Sequence, residues 1–205
     1  IGIGATVPMA VLVANKLPVT SINELVAYAR ANPGKLSYAT PGVGSPHHLA
    51  TELLMDMTGT KMVQVPYKGA AGMLADLISG DVHLMIGAVN SAIPLVRAGK
   101  IRLIGLAERQ RLPQFKDVPT VNESLPGYEV NIWYGLMAPA GTPDAVVTLL
   151  SDEQRTIVNL PEVREILTRA SLDGNPTSAA QMRQIMSTEL DKWGKVVKAA
   201  GIQPQ

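Results

Sequence analysis

Leu36-Ser37-Tyr38-Ala39-Thr40-Pro41-Gly42-Val43-Gly44-Ser45-Pro46-His47-His48-Leu49-Ala50 decides the fold of this chain. The first five residues form a short apolar run suited to a strand buried on both faces. Two glycines then turn the chain, Ser45 offers a side-chain oxygen as N-cap, and Pro46 occupies the first helical position, where its missing N–H costs nothing. Leu49, Leu53 and Met57 fall on one helical face, and Gly59 ends the helix. Strand, glycine-rich turn and helix in that order are the opening of a βα unit.

The same alternation continues on both sides. Candidate strands are Met9–Ala14, Leu36–Thr40, Met62–Val65, Val82–Gly87 and Ile101–Ala107, with amphipathic segments between them. This is the signature of βαβ units and a largely parallel sheet. The helix from Ser21 opens with a capping box, Ser21 with Glu24, and stops at Asn32-Pro33-Gly34. Shorter helices over Gly72–Ser79 and Ser91–Ala98 end at Gly80 and Gly99. From Arg109 to Tyr128 the pattern breaks into Leu112-Pro113, Val118-Pro119 and Leu125-Pro126-Gly127, a candidate linker. Beyond it lie one strand, Val130–Ala138, and three helices, with Pro143 and Pro161 at helix starts. One strand and three helices do not make a self-sufficient sheet domain. The expected division is an α/β domain over residues 8–124 and, over 125–205 with 1–7, the C-terminal part of another domain that begins upstream.

Composition narrows the function. At 205 residues and 46% hydrophobic content the chain can bury a core. Eighteen basic against seventeen acidic residues leave a net charge of +1, too little to attract nucleic acid or an anionic membrane surface. There is no cysteine, which removes disulfides, thiolate metal sites and cysteine nucleophiles. No apolar run approaches the roughly 20 residues that span a bilayer. Ile1-Gly2-Ile3-Gly4 reads as mid-strand and lacks the features of a signal peptide.

The turn at Gly42–Pro46 aims backbone N–H groups and the positive end of a helix outward, a geometry that suits a carboxylate or phosphate. The alternative at this point is a tight βα turn with Ser45 as a simple cap. Nucleotides are disfavoured, because neither a third glycine nor Gly-Lys-Ser/Thr follows. His47 and His48 point about 100° apart on a helix, so they do not chelate one metal together. His48 with Glu52 would supply two ligands, with no third in evidence, and His83 reads as a hydrogen-bonded core residue; no metal or other cofactor is expected. Ser45 has no Gly-x-Ser-x-Gly context and no assignable base, so the chain does not read as an enzyme. Val65-Pro66-Tyr67-Lys68-Gly69 ends a strand at the sheet edge where open α/β folds place their ligands, and puts Lys68 within reach of an anion. Trp133 and Tyr134 are core or cleft-wall residues.

Several of these stretches, in this order, resemble the substrate-binding proteins of the tripartite tricarboxylate transporter system, the Bug or TctC family. They are Leu36–Thr40 through Gly44–Ala50, Val65–Gly69, Val118-Pro119-Thr120-Val121-Asn122-Glu123, Trp133-Tyr134-Gly135-Leu136-Met137-Ala138-Pro139-Ala140-Gly141-Thr142-Pro143, and Trp193-Gly194-Lys195-Val196-Val197-Lys198. The resemblance implies a type II periplasmic-binding fold, two α/β domains closing over a small carboxylate or related organic acid, with the first domain incomplete here. It also implies periplasmic localisation and membrane transporter subunits as partners. Family members hold carboxylates mainly through backbone amides and waters of glycine-rich loops, and carry a further segment before the equivalent of Ile1. Gly87-Ala88-Val89-Asn90 departs from the family pattern. On this reading the ligand contacts are Thr40, Gly42, Gly44, Ser45, Pro46 and Lys68, with Asn90 as a cleft residue and Trp133 as a wall. The alternatives are the effector-sensing domain of a transcription regulator, which predicts an upstream helix-turn-helix, and a metal-dependent hydrolase using His47, His48 and Glu52.

Overall fold

A computed structural model of the chain describes residues 1–203. It divides into two compact units, each described by itself. The larger comprises Met9–Val130 and the segment from Lys195 on; the smaller comprises Ile1–Pro8 and Asn131–Gly194. Strand β1 (Gly2–Ala14) contributes its first part to the smaller unit and its second to the larger.

In the larger unit, β2 (Ser37–Thr40), β3 (Val63–Pro66), β4 (Leu84–Ala88) and β5 (Ile101–Leu106) join β1 in the order β3-β2-β4-β1-β5. β2 is parallel to β3 and β4, with Thr40 opposite Pro66 and Tyr38 opposite Leu84. β1 is antiparallel to both β4 and β5, so four strands run one way and β1 opposes them. Strand direction was not readable beforehand, because a continuous apolar run such as Met9–Ala14 suits a central strand in either sense. Met9 to Val13 are completely buried, as a strand covered on both faces must be.

The helices of this unit follow local chemistry. α1 (Ile22–Ala31) is capped by Ser21, whose oxygen accepts from the N–H of Glu24. α2 (Pro46–Thr58) ends at Gly59 and α3 (Ala70–Ser79) at Gly80, both glycines left-handed. α4 (Val89–Arg97) starts two residues earlier than expected, directly off β4. Met73, Leu77, Val82, Met85 and Ala92 pack with Leu12 and Leu106 into the core.

The proline-rich stretch predicted as a linker is instead packed onto this unit. It holds a one-turn helix, α5 (Val121–Ser124), closed by a capping box between Thr120 and Glu123. Val121 and Tyr128 are completely buried, and the Tyr128 hydroxyl donates to the Ala50 carbonyl at 3.0 Å. Prolines broke the periodicity but not the burial.

In the smaller unit, β1 pairs antiparallel with β6 (Asn131–Leu136), with a register shift between Ile3 and Ala5. Thr6 exchanges backbone hydrogen bonds with Asp173 at 2.9 Å, and Thr177 closes on Ile3. Gly2 and Gly4 lie in β1, which runs unbroken from Gly2 into the strand expected at Met9. A Cβ at Gly2 would stand 2.5 Å from the Thr177 carbonyl oxygen, and one at Gly4 would stand 2.9 Å from Gln154 Nε2. Helices α6 (Asp144–Val158), α7 (Pro161–Arg169) and α8 (Ala179–Ala199) follow, the last running from Lys195 on into the larger unit. No helix among the described residues is long and apolar enough to cross a membrane.

Candidate carboxylate-binding rim

Because β2, β3 and β4 run parallel, their carboxyl ends share one end of the sheet of the larger unit, and each runs into a helix. The N-termini of α2, α3 and α4 therefore lie along one rim, the place where open α/β sheets bind ligands. None of the three has an acidic residue in its first turn, and α3 and α4 have no side-chain cap. Among the other helices, α1 has Glu24, α5 Glu123, α6 Asp144 and α7 Glu162 in that turn, and α8 has none. The partial positive charge at the starts of α2, α3 and α4 thus has no acid of its own first turn to neutralise it.

The loop between β2 and α2 is built from the residues predicted. Gly42 (φ +141°) and Gly44 (φ +75°) adopt conformations that side chains resist. Ser45 Oγ donates to the Gly42 carbonyl at 2.7 Å and accepts from the His48 N–H at 3.3 Å, so the same hydroxyl closes the turn and caps the helix. Pro46 is exposed at the first helical position. Thr40 is fully buried; its Oγ1 accepts from the Gly42 N–H at 3.3 Å and from Gln64 Nε2 at 2.8 Å. Its hydroxyl anchors the loop from below.

Lys68 follows β3 at the same end of the sheet and is exposed, two residues past Pro66, which is paired with Thr40. Just before it, Tyr67 donates to Asp76 Oδ2 at 2.6 Å; desolvation and this bond push its pKa up to about 12. Asn90 is exposed in the first turn of α4, its Oδ1 accepting from the Ser91 N–H at 2.9 Å. These residues of the larger unit occupy one rim. Trp133 belongs to the smaller unit, half-buried in β6 opposite Thr6.

His48 and Glu52 do face each other, at 3.2 Å, but as part of a hydrogen-bond chain with Tyr38, whose hydroxyl donates to Glu52 Oε1 at 2.7 Å. Among the described residues no cluster of three His, Asp or Glu side chains is placed to hold a metal. His83 Nδ1 bonds Ser37 in the strand beside it. His47 lies against β4: a Cβ at Gly87 would stand 3.3 Å from its ring. Burial pushes the His47 pKa down, and its Nδ1 has no partner. Sequence reading missed the Tyr38 link and the acid-free first turns of α3 and α4. The signal was present in Ala70-Ala71-Gly72 and Val89-Asn90-Ser91, each following an apolar strand.

A second concavity lies within the smaller unit, about 310 Å³, bounded by Ala5, Tyr134, Leu136, Val158, Val163 and Leu167 among others. Its lining is almost wholly apolar, so it offers nothing to a carboxylate.

Residues 1–202 match the family model of the tripartite tricarboxylate transporter family receptor. The chain belongs to that family. A Pseudomonas protein encoded in the tcbD-tcbE intergenic region is 34% identical over 95% of this chain and 59% of its own length. Among solved structures, Rhodopseudomonas palustris Rpa4515 with adipate is 38% identical with a TM-score of 0.86, covering 99% of this chain and 68% of that one. MatC from the same organism, with bound malate, is 28% identical with a TM-score of 0.79, covering 96% and 68%. The family receptor therefore has the α/β periplasmic-binding fold expected. This chain spans about three-fifths of the length of the curated relatives it matches.

Proposed function

We propose that this chain carries the carboxylate-gripping unit of an extracytoplasmic solute-binding protein that delivers a small organic acid to the membrane subunits of a tripartite tricarboxylate-type transporter. The observation that carries this reading is the rim itself: three helix N-termini, none with an acid in its first turn, flanking a loop shaped by Gly42, Gly44 and Ser45. Such a site holds a carboxylate by N–H donors and helix ends without an arginine. Thr40 anchors the loop, Ser45 and Pro46 start the helix, and Lys68 and Asn90 approach the ligand from neighbouring strand ends. The adipate and malate held by two solved relatives fit that chemistry. Periplasmic localisation is part of the same proposal, supported by a solved relative, the periplasmic binding protein BugD.

The smaller unit supports a proposal about organisation. Its Tyr134, Leu136, Met137, Leu149 and Ile166 are exposed. We read the unit as part of a domain that the additional residues of family-length chains complete, with Trp133 as a wall residue within it.

The test is calorimetric titration with adipate and with malate, beside adipate dimethyl ester as a neutral control. Saturable binding of a diacid and none of the ester is the expected result. At 100 times Kd a bound diacid stabilises the fold by about 2.7 kcal/mol, which a thermal melt detects. Equal behaviour of acid and ester, or no binding of either diacid, would sink the reading.

A further inference from the structure

His48 is nearly fully buried, and a hydrogen bond to one ring nitrogen fixes its tautomer. The Gly44 N–H, which can only donate, points at His48 Nδ1 at 3.1 Å, so Nδ1 carries no proton. Nε2 therefore bears the hydrogen, with Glu52 Oε1 beside it at 3.2 Å. That oxygen accepts from the Tyr38 hydroxyl, and the Tyr38 ring stacks on the imidazole, centroids 6.2 Å apart and planes 16° from parallel. Burial foremost, and then the bond to Glu52, push the Tyr38 pKa well above its ordinary range, which keeps the hydroxyl a donor.

We infer that His48 is a positioning residue for ligand capture: Glu52 and Tyr38 hold its imidazole in one tautomer, and its bare Nδ1 fixes the Gly44 peptide of the rim loop. This rests on the reading that the loop grips a carboxylate. Gly44, at positive φ with no Cβ, would otherwise sample several orientations. Drawing its N–H inward sets the path between Gly42 and Ser45. The N–H of Val43, which has no partner among the described residues, and that of His47, in the helix's first turn, remain the donors for a ligand. A site made of backbone amides is only as good as the rigidity of its peptides, and here a side-chain relay from β2 through α2 supplies it.

The relay is testable without any ligand. A ¹⁵N spectrum of the wild-type protein should show His48 with hydrogen on Nε2, a bare Nδ1, and coupling from Nδ1 to the Gly44 amide; hydrogen on Nδ1 would overturn the inference. His48→Phe keeps the stack on Tyr38 but has no acceptor, whereas His48→Asn returns an acceptor near the position of Nδ1. Exchange of the Gly44 amide should accelerate at least tenfold in H48F and fall back toward wild type in H48N, and unchanged exchange in H48F refutes the relay. Adipate affinity should follow the same order, about tenfold weaker in H48F and largely restored in H48N. If H48F loses affinity only in proportion to its melting temperature, with no rescue by H48N, the role is structural and the inference fails. Should wild type bind neither adipate nor malate, the functional reading falls by itself, and the Gly44 measurements still decide the role of His48.

Discussion

The two units spend their apolar residues differently. In the larger, β1 from Met9 onward is sealed on both faces, and core side chains from four further strands close around it. In the smaller, two paired strand segments and three helices leave much of their apolar surface open. Of fourteen large apolar residues exposed among those described, ten lie between Tyr134 and Leu190. Exposed apolar side chains at that density suit a unit made to be covered. The larger unit is closed by its own residues; the smaller is not.

The sharpest way to break that comparison is truncation in both units. Leu12→Ala, at a fully buried site flanked by Met85 and Leu103, should cost about 2–5 kcal/mol in urea unfolding. Leu149→Ala and Leu190→Ala, at sites 59% and 72% exposed, should fall within about 0.5 kcal/mol of wild type. Costs of several kcal/mol at the exposed sites would show that something covers them in solution. Next in size, Tyr128→Phe removes a second donor from the Ala50 carbonyl, which keeps its bond within α2, and should cost about 0.5–1.5 kcal/mol, measured the same way. If that variant is neutral, the proline-rich stretch is more loosely held than its burial indicates.

A smaller effect separates the helix starts. Ala71→Glu puts an acid in the first turn of α3; it should raise stability by a few tenths of a kcal/mol through the helix dipole while weakening adipate binding about tenfold. Stability and affinity moving together would remove the rim from the ligand's path. The smallest concerns Glu123 in α5. Its bond from Arg111, with the Thr120 N–H second, lowers its pKa from 4.5 to about 2. The folded state thus favours the ionised form, so this stabilisation is present above about pH 4.5 and is lost as pH falls toward about 2. Glu123→Gln should melt below wild type at pH 7, with the gap closing across that window.

Legibility followed the range of the interaction. The caps at Ser21 and Ser45, the proline at the start of α2 and the glycine stops at Gly59 and Gly80 depend on neighbours within one turn, and the sequence displays them. The capping box at Thr120 and Glu123 was equally local, yet the prolines around it suggested a linker. The opposed direction of β1 depends on its pairing with β4 and β5, distant in the chain, and nothing within Met9–Ala14 announces it. Within the site, glycines and a cap pointed to the loop between β2 and α2. The tie from Tyr38 to Glu52 needed a strand and a helix brought side by side, and spacing alone cannot supply that.

The acid-free first turns along the rim have a consequence for vacancy. A glutamate or aspartate placed there would be a tethered competitor, present at the millimolar effective concentrations typical of short flexible linkages and never diffusing away. On the proposed reading, the loop would then be plugged by its own side chain. Pro46-His47-His48, Ala70-Ala71-Gly72 and Val89-Asn90-Ser91 carry no such plug.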